Sequence, residues 1–399
     1  MPHSIAAAVA ALGDGPLDQA GLVEHLFPLF SEVLERDQKE IYLANHSLGR
    51  PLDRSRADVE EGITLWSRLL DEAWGPWFGE VERFRAGTAA LTGAPRADCI
   101  VPKSSAGQGV RAVLNSFVEP PRVLTTTAEF DSLDVILKQY AARQRAEVDW
   151  VGPGEEGRIA VDDLIARLEG IDLVVVSQVF FADGQVLDGV ERLVAAAHAA
   201  GARVLLDVYH GYGVLPLDLS RLDVDFAVAG SYKYLRGGPG CCWLYVAPRW
   251  LSNGLSTLDT GWFAKRDPFS YQRPMPPQFA EGGDGWLEST FAPLPFFQAR
   301  AGLELVQALG VARLRDYSLR QKSLLSAELS RLGIEHFGAG ADYGAFLTVR
   351  HPEPMQLAER LKAVGVNADA RAAGLRLCPD LLNSEAQLRQ AAERLAGVL

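Results

Sequence analysis

A chain of 399 residues is too long for one small core and suits two domains. Its composition, 48% apolar and 23% charged, is that of an ordinary globular protein. A formal charge of −12 without any basic run argues against nucleic acid or an anionic membrane as the main partner.

The first residues, MPHSIAAAVAALGDG, are apolar but lack a charged leader and are broken by Gly13 and Asp14, so a signal peptide is not expected. No run reaches the roughly 20 apolar residues that span a bilayer. Cys99, Cys241, Cys242 and Cys378 show no CxxC spacing, and the histidines no HExxH pairing. Neither a zinc site nor a disulfide framework is therefore indicated, and the expectation is a soluble, cytoplasmic, metal-free protein.

From 15 to 45, polar and apolar residues alternate at helical spacing as far as Tyr42. The turn-rich Asn45-His46-Ser47-Leu48-Gly49-Arg50-Pro51 follows, either a plain connection or a loop lining a substrate pocket. Residues 55–93 read as helical, with Trp66, Trp74, Trp77 and Phe78 as anchors suited to a core or a subunit interface. Strands are then expected at 98–101, 122–126, 147–151, 172–178, 203–208, 225–229 and 242–246. Helices are expected between most of them, at 106–118, 132–144, 161–168 and 188–200. Such alternation argues an α/β fold with a mainly parallel sheet covered on both faces. The strand at 242–246 follows a short glycine turn and could be the antiparallel one. Residues 252–295 are irregular and rich in Gly, Pro, Trp and Phe, and a connection of that length is usually functional. Residues 296–333 read as one long helix. Short strands at 343–349 and 374–378, with helices at 354–364 and 384–397, suggest a small α+β domain. The expected division is a helical segment 1–45 packing with the small domain, a large domain 46–295, and a linking helix with the small domain over 296–399.

The chemistry concentrates in residues 203–240. Two apolar runs there end on ionisable groups, the first on Asp207 with His210 behind it, the second on Ser231-Tyr232-Lys233 before a glycine-rich turn. Ligands of α/β sheets sit at the carboxyl ends of strands, so an acid and a lysine at those ends suggest a cofactor pocket. Pyridoxal phosphate needs a lysine for its Schiff base, an acid beside its pyridine nitrogen and donors for its phosphate. Lys233 and Asp207 meet the first two needs. Ser104, Ser105 and Ala106, in the strand-to-helix turn after 98–101, can supply the third, although a plain serine N-cap would also explain that turn. Phe130 and Ser132 follow the next strand, and Ser177 with Gln178 ends the run Leu173-Val174-Val175-Val176. Polar groups thus end four separate strands on one edge of the sheet. Arg371 and Arg376 lie close together near the last strand, where a surface charge or a carboxylate clamp would each fit.

Asp207-Val-Tyr-His210, Val224-Asp225-Phe226 and Ser231-Tyr232-Lys233-Tyr234-Leu235 with its glycine turn resemble the cofactor core of kynureninases, within the class V aminotransferase group of fold-type I pyridoxal phosphate enzymes. Tyr42-Leu43-Ala44-Asn45-His46-Ser47-Leu48-Gly49 is similar to that family's YLDGNSLG segment, and Arg376 with Pro379 and Asn383-Ser384 to its RxxPxxLYNS stretch. The resemblance runs over roughly 40–385. It implies that Lys233 bonds the cofactor and that Asp207 meets the pyridine nitrogen. It further implies that Phe130 stacks on the ring, and that Ser105, Ala106, His210 and Tyr232 surround the cofactor and its phosphate. Trp262 and Thr290 would reach the phosphate across a homodimer interface, Arg376 would grip the substrate α-carboxylate, and Asn45 and His46 would face the substrate. Tyr232 is then a candidate proton donor in a hydrolytic Cβ–Cγ cleavage yielding an anthranilate and alanine. The chain departs from the family where His46 replaces an asparagine, Phe181-Ala182-Asp183-Gly184 replaces YxTG, Gly261-Trp262-Phe263-Ala264-Lys265 replaces GWWGH, and Leu382 replaces a tyrosine. Those departures leave an aminotransferase or β-lyase as the rival reading. A cysteine desulfurase would need a cysteine before Arg376 that the segment 371–376 lacks.

Overall fold

The computed structural model describes residues 4–37, 40–154 and 157–399. Its centre is a seven-stranded sheet of β1 (Ile100–Lys103), β2 (Arg122–Thr126), β3 (Glu147–Val151), β4 (Leu173–Ser177), β5 (Arg203–Asp207), β6 (Phe226–Gly230) and β7 (Cys242–Val246) in the order β1-β7-β6-β5-β4-β2-β3. All neighbours pair in parallel except β7, which runs antiparallel to both β1 and β6. Three of these strands keep the bounds expected from the sequence, and the rest shift by one or two residues. Runs such as Leu173-Val174-Val175-Val176 are fully buried because helices cover both faces, the condition under which a parallel strand reads as continuous rather than alternating apolar sequence.

The order carries the functional information. β4 follows β3 in the chain yet pairs with β2 on its other side, so the march of strands reverses between β2 and β4. A crevice opens outside the carboxyl ends of the strands at such a reversal.

A second, antiparallel sheet holds β8 (His336–Phe337), β9 (Leu347–Val349), β10 (Asp369–Arg371) and β11 (Gly374–Leu377) in the order β10-β11-β9-β8. Its core takes Leu347, Val349, Leu375 and Leu377 together with Ile41 and Leu43, and Ile41–Tyr42 pairs in parallel with Val366–Asn367. A third cluster joins Ile5, Leu22, Leu26 and Phe30 to Leu305, Leu309, Tyr317 and Leu382. Among the described residues no helix is long and apolar enough to cross a membrane.

Three helical expectations are corrected. The long helix over 296–333 is two helices, Leu294–Leu309 and Val311–Arg331, broken at Gly310 with φ +79° and ψ 134°. Leucines keep helical spacing on both sides of the break, which hides it from periodicity. Residues 55–93 likewise split into Arg54–Leu69 and Trp74–Thr92 around Leu70, whose φ is +52°. The segment 15–45 forms short turns, including a 3₁₀ turn Phe27–Phe30 that carries Pro28, and a helix Ser31–Asp37; residues 38–39 lie outside the described residues.

Candidate active site

A cavity of about 580 Å3 opens at the strand ends around the reversal point. Of the residues expected there, Ser104, Ser105 and Ala106 follow β1, Phe130 and Ser132 follow β2, and Ser177, Asp207, His210, Tyr232 and Lys233 end or follow β4, β5 and β6. Ala106 and Gly107, in the first turn of the helix Ala106–Leu114, also line it, where backbone N–H groups and the helix dipole favour an anion. Ser105 caps that helix by accepting the Gln108 N–H (3.1 Å), while Ser104 gives its N–H and hydroxyl to Gln108 Oε1 (2.7 and 3.1 Å).

Lys233 is buried in a tight turn after β6, closed by hydrogen bonds from Ser231 N to Cys241 O and from Gly237 N to Ser231 O. The 45–49 loop lies directly on this turn. Gly49 donates its N–H to the Tyr232 carbonyl (2.8 Å), and a Cβ at Gly49 would stand 1.9 Å from the Lys233 carbonyl oxygen. Only glycine permits that approach.

Among the described residues the Lys233 amine forms no carboxylate ion pair, and it stands 2.5 Å from His210 Nε2. Burial lowers the pKa of Lys233, with Asp207 opposing, and drives His210 well below its ordinary value, with Lys233 adding to the effect. His210 is therefore neutral, Nε2 accepts from the amine, and Nδ1–H faces the Tyr234 hydroxyl (3.4 Å). Asp207, also buried, accepts the Tyr209 N–H at 2.8 Å, and burial raises its pKa. The lysine nitrogen sits 4.8 Å from the Tyr209 ring centroid and 5.7 Å from that of Phe130. Tyr232 lines the cavity beside Tyr209, and burial raises its pKa, which keeps its hydroxyl a proton donor.

Nothing in the sequence pointed to Glu129. Its buried carboxyl bridges the two strand ends at the reversal, accepting from Thr126 Oγ1 of β2 (2.7 Å) and from Ser177 Oγ (2.6 Å) and N (3.3 Å) of β4. Burial raises its pKa to about 7 against those hydrogen bonds, and the nearby Asp207 adds to the rise. The Ser177 hydroxyl is thus engaged by Glu129, and Phe130 is fixed next to a residue locked into place between the two strand ends. Tyr209 also escaped notice, since one aromatic between an acid and a histidine has no motif of its own.

The remaining expected residues lie outside this cavity. Arg376 is buried against Asp369, its Nε and Nη2 each 2.7 Å from a carboxylate oxygen, and its Nη1 donates to the Phe181 carbonyl. His46 Nε2 is 3.0 Å from Asp369 Oδ1, and Asn45 donates to the Cys378 carbonyl (3.0 Å). Trp262 donates its indole N–H to Thr290 Oγ1 (3.1 Å), and Thr290 borders a recess of about 220 Å3 that Ser104 shares. Arg111 is a cavity-lining cation that sequence reading passed over, because it falls on an ordinary helix.

Whether these residues suit pyridoxal phosphate is a question of donor chemistry. A buried amine with no carboxylate ion pair among the described residues, shifted toward neutrality, is suited to bonding a carbonyl carbon. A buried carboxylate on the next strand end suits a protonated ring nitrogen, and a helix N-terminus on the same cavity suits a phosphate. The residues fit the group.

The class-V aminotransferase family model matches residues 77–345. The chain is 29% identical to the kynureninase of Bacillus anthracis, with 88% of this chain and 86% of that one covered. It is 28% identical to the kynureninase of Geobacillus thermodenitrificans, at 91% and 88% coverage. Among solved structures it resembles the Escherichia coli cysteine desulfurase CsdA, with TM-score 0.80 at 17% identity over 96% of this chain and 100% of that one. It also resembles a lysine-to-alanine mutant of C-DES with glycine covalently linked to its PLP cofactor, with TM-score 0.82 at 19% identity over 93% and 99%. At such identities the structural likeness speaks for the fold alone.

Proposed function

This chain belongs to the aminotransferase class-V family and is a kynureninase-like pyridoxal phosphate enzyme; from that premise we propose that it hydrolyses the Cβ–Cγ bond of L-kynurenine or 3-hydroxykynurenine, giving an anthranilate and L-alanine. The observation that carries the proposal is the meeting of Lys233, Asp207, His210 and Tyr232 in one cavity, in a chain similar to kynureninases over most of its length.

In this reading Lys233 and Asp207 hold the cofactor, with Ser104, Ser105 and Ala106 toward its phosphate and Phe130, Ser132 and Ser177 along the wall. The bound group supplies an electron sink for charge that develops at the substrate α-carbon. Lys233, its amine poised near neutral pH, takes and returns the α-proton, with His210 accepting its hydrogen bond. Water adds to the γ-carbonyl and leaves with it as the carboxyl group of the anthranilate; the electron pair of the broken bond stays on Cβ, which Tyr232 protonates to give the methyl group of alanine. Arg376 binds the α-carboxylate, and Asn45 and His46 support the substrate side. Trp262 and Thr290 act across a homodimer interface, and the protein works in the cytoplasm.

Transamination or β-elimination on another amino acid is the second reading, favoured by the altered segments 181–184 and 261–265. Desulfurase chemistry is disfavoured, since Cys378 is fully buried and its thiol is pushed up to about 12 by that burial. The test is incubation of the cofactor-loaded protein with kynurenine, 3-hydroxykynurenine and a panel of other amino acids, read by anthranilate fluorescence for the first two and by loss of the amino acid in chromatography for the panel. Turnover of a panel member alone would transfer the assignment to the second reading.

A further inference from the structure

Asp369 and Arg376 stand directly opposite each other in the β10–β11 ladder, a register that fixes their side chains on one face. Arg376 is 2% exposed, and an isolated guanidinium would be costly at that depth. Asp369 offsets the charge in a definite geometry. Its two oxygens take Nε and Nη2, one edge of the fork, while the Phe181 carbonyl takes one hydrogen of Nη1. Of five N–H donors three are then engaged, leaving one hydrogen on each terminal nitrogen. Those two are the donors left to meet a carboxylate. Phe181 itself lines the cavity, and the ring of Phe346 lies 5.4 Å from the guanidinium carbon.

His46 completes the arrangement at Asp369 Oδ1, the oxygen that Arg376 Nε also meets. Its side chain is fully enclosed, and burial lowers its pKa to about 4 despite the carboxylate, so it is neutral. With Nε2 3.0 Å from an acceptor-only oxygen, the proton sits on Nε2 and is donated to Asp369, while Nδ1 is buried without a hydrogen-bond partner among the described residues. The histidine therefore serves Asp369 rather than a ligand charge.

We propose that Asp369 is a positioning residue: braced by His46, it holds one edge of Arg376 so that the two remaining donors are presented to the α-carboxylate of the substrate. The proposal rests on the reading of Arg376 as the carboxylate-binding group. Two effects of Asp369 oppose each other. Its charge repels an incoming carboxylate, but an arginine freed from its fork regains rotamer freedom that binding must then remove. Orientation is the larger effect because Arg376 is buried and the Asp369 side chain is only 19% exposed.

The experiment compares L-alanine with L-alaninamide, which lacks the carboxylate, as ligands of the cofactor-loaded protein, each titrated by the change in cofactor absorbance. The wild type is expected to prefer alanine. The isosteric Asp369→Asn protein should lose roughly tenfold of that preference with its alaninamide affinity unchanged, and Asp369→Glu should restore part of it. A preference in Asp369→Asn equal to or above the wild type's would overturn the positioning role. Equal binding of both ligands by the wild type would instead remove the Arg376 reading beneath it. Neither outcome depends on kynurenine being the substrate.

Discussion

Glu129 offers a quantitative check on how the sheet ends are built. In the folded chain it keeps its proton up to about pH 7, whereas an unfolded glutamate loses it near 4.5. The folded pKa is the higher one, so the proton favours the native state fully below pH 4.5. That stabilisation is lost as pH rises through 7. A shift of this size corresponds to roughly 3 kcal/mol, undiminished by solvent because the carboxyl is buried. Glu129→Gln keeps the shape and removes the titration. Unfolding of both proteins, cofactor-free, should be followed by urea denaturation at pH values from 4.5 to 8. Other titrating groups are common to the pair, so the difference between the two curves isolates Glu129. The variant is expected to gain on the wild type by roughly 3 kcal/mol across that range, most of it between pH 4.5 and 7. A gap independent of pH would refute the reasoning, because it would mean that Glu129 ionises in the folded protein as it does in the unfolded chain.

Other consequences are simpler to read. Lys233→Ala should abolish turnover and leave the cofactor removable by gel filtration, as absorbance of the eluted protein will report. Gly49→Ala should displace the lysine turn, since the added methyl collides with the Lys233 carbonyl; a loss of about 2 kcal/mol or more in stability and a drop in cofactor affinity are expected by thermal melting and fluorescence titration. Arg376→Lys keeps the charge but loses the fork, so KM for an amino-acid substrate should rise roughly tenfold or more with a smaller change in kcat.

The large sheet was legible because its strands are short apolar runs separated by turns, and because a parallel sheet buried on both faces leaves continuous Val and Leu. Lys233 and Asp207 were legible because each ends such a run. Glu129 was not, since its partners Thr126 and Ser177 come from strands that are neighbours only after the chain reverses its march. Asp369 was hidden in the same way: its relation to Arg376 is a cross-strand register, invisible in the spacing of the two residues. His46 looked like a residue facing the substrate, and only its contact with Asp369 shows where its proton goes. Gly310 passed as part of a helix because leucine periodicity survives a single residue with positive φ.

The central claim is cleavage of a carbon–carbon bond, and the most direct measurement is the product balance from L-kynurenine and the cofactor-loaded protein. Anthranilate and alanine quantified together by chromatography should appear in equal amounts, without any added keto acid, and neither should form with Lys233→Ala. Formation of a cyclised quinoline acid that depends on an added keto acid would mean transamination instead. Such a result, or an absence of both products beside turnover of another amino acid, would contradict the account.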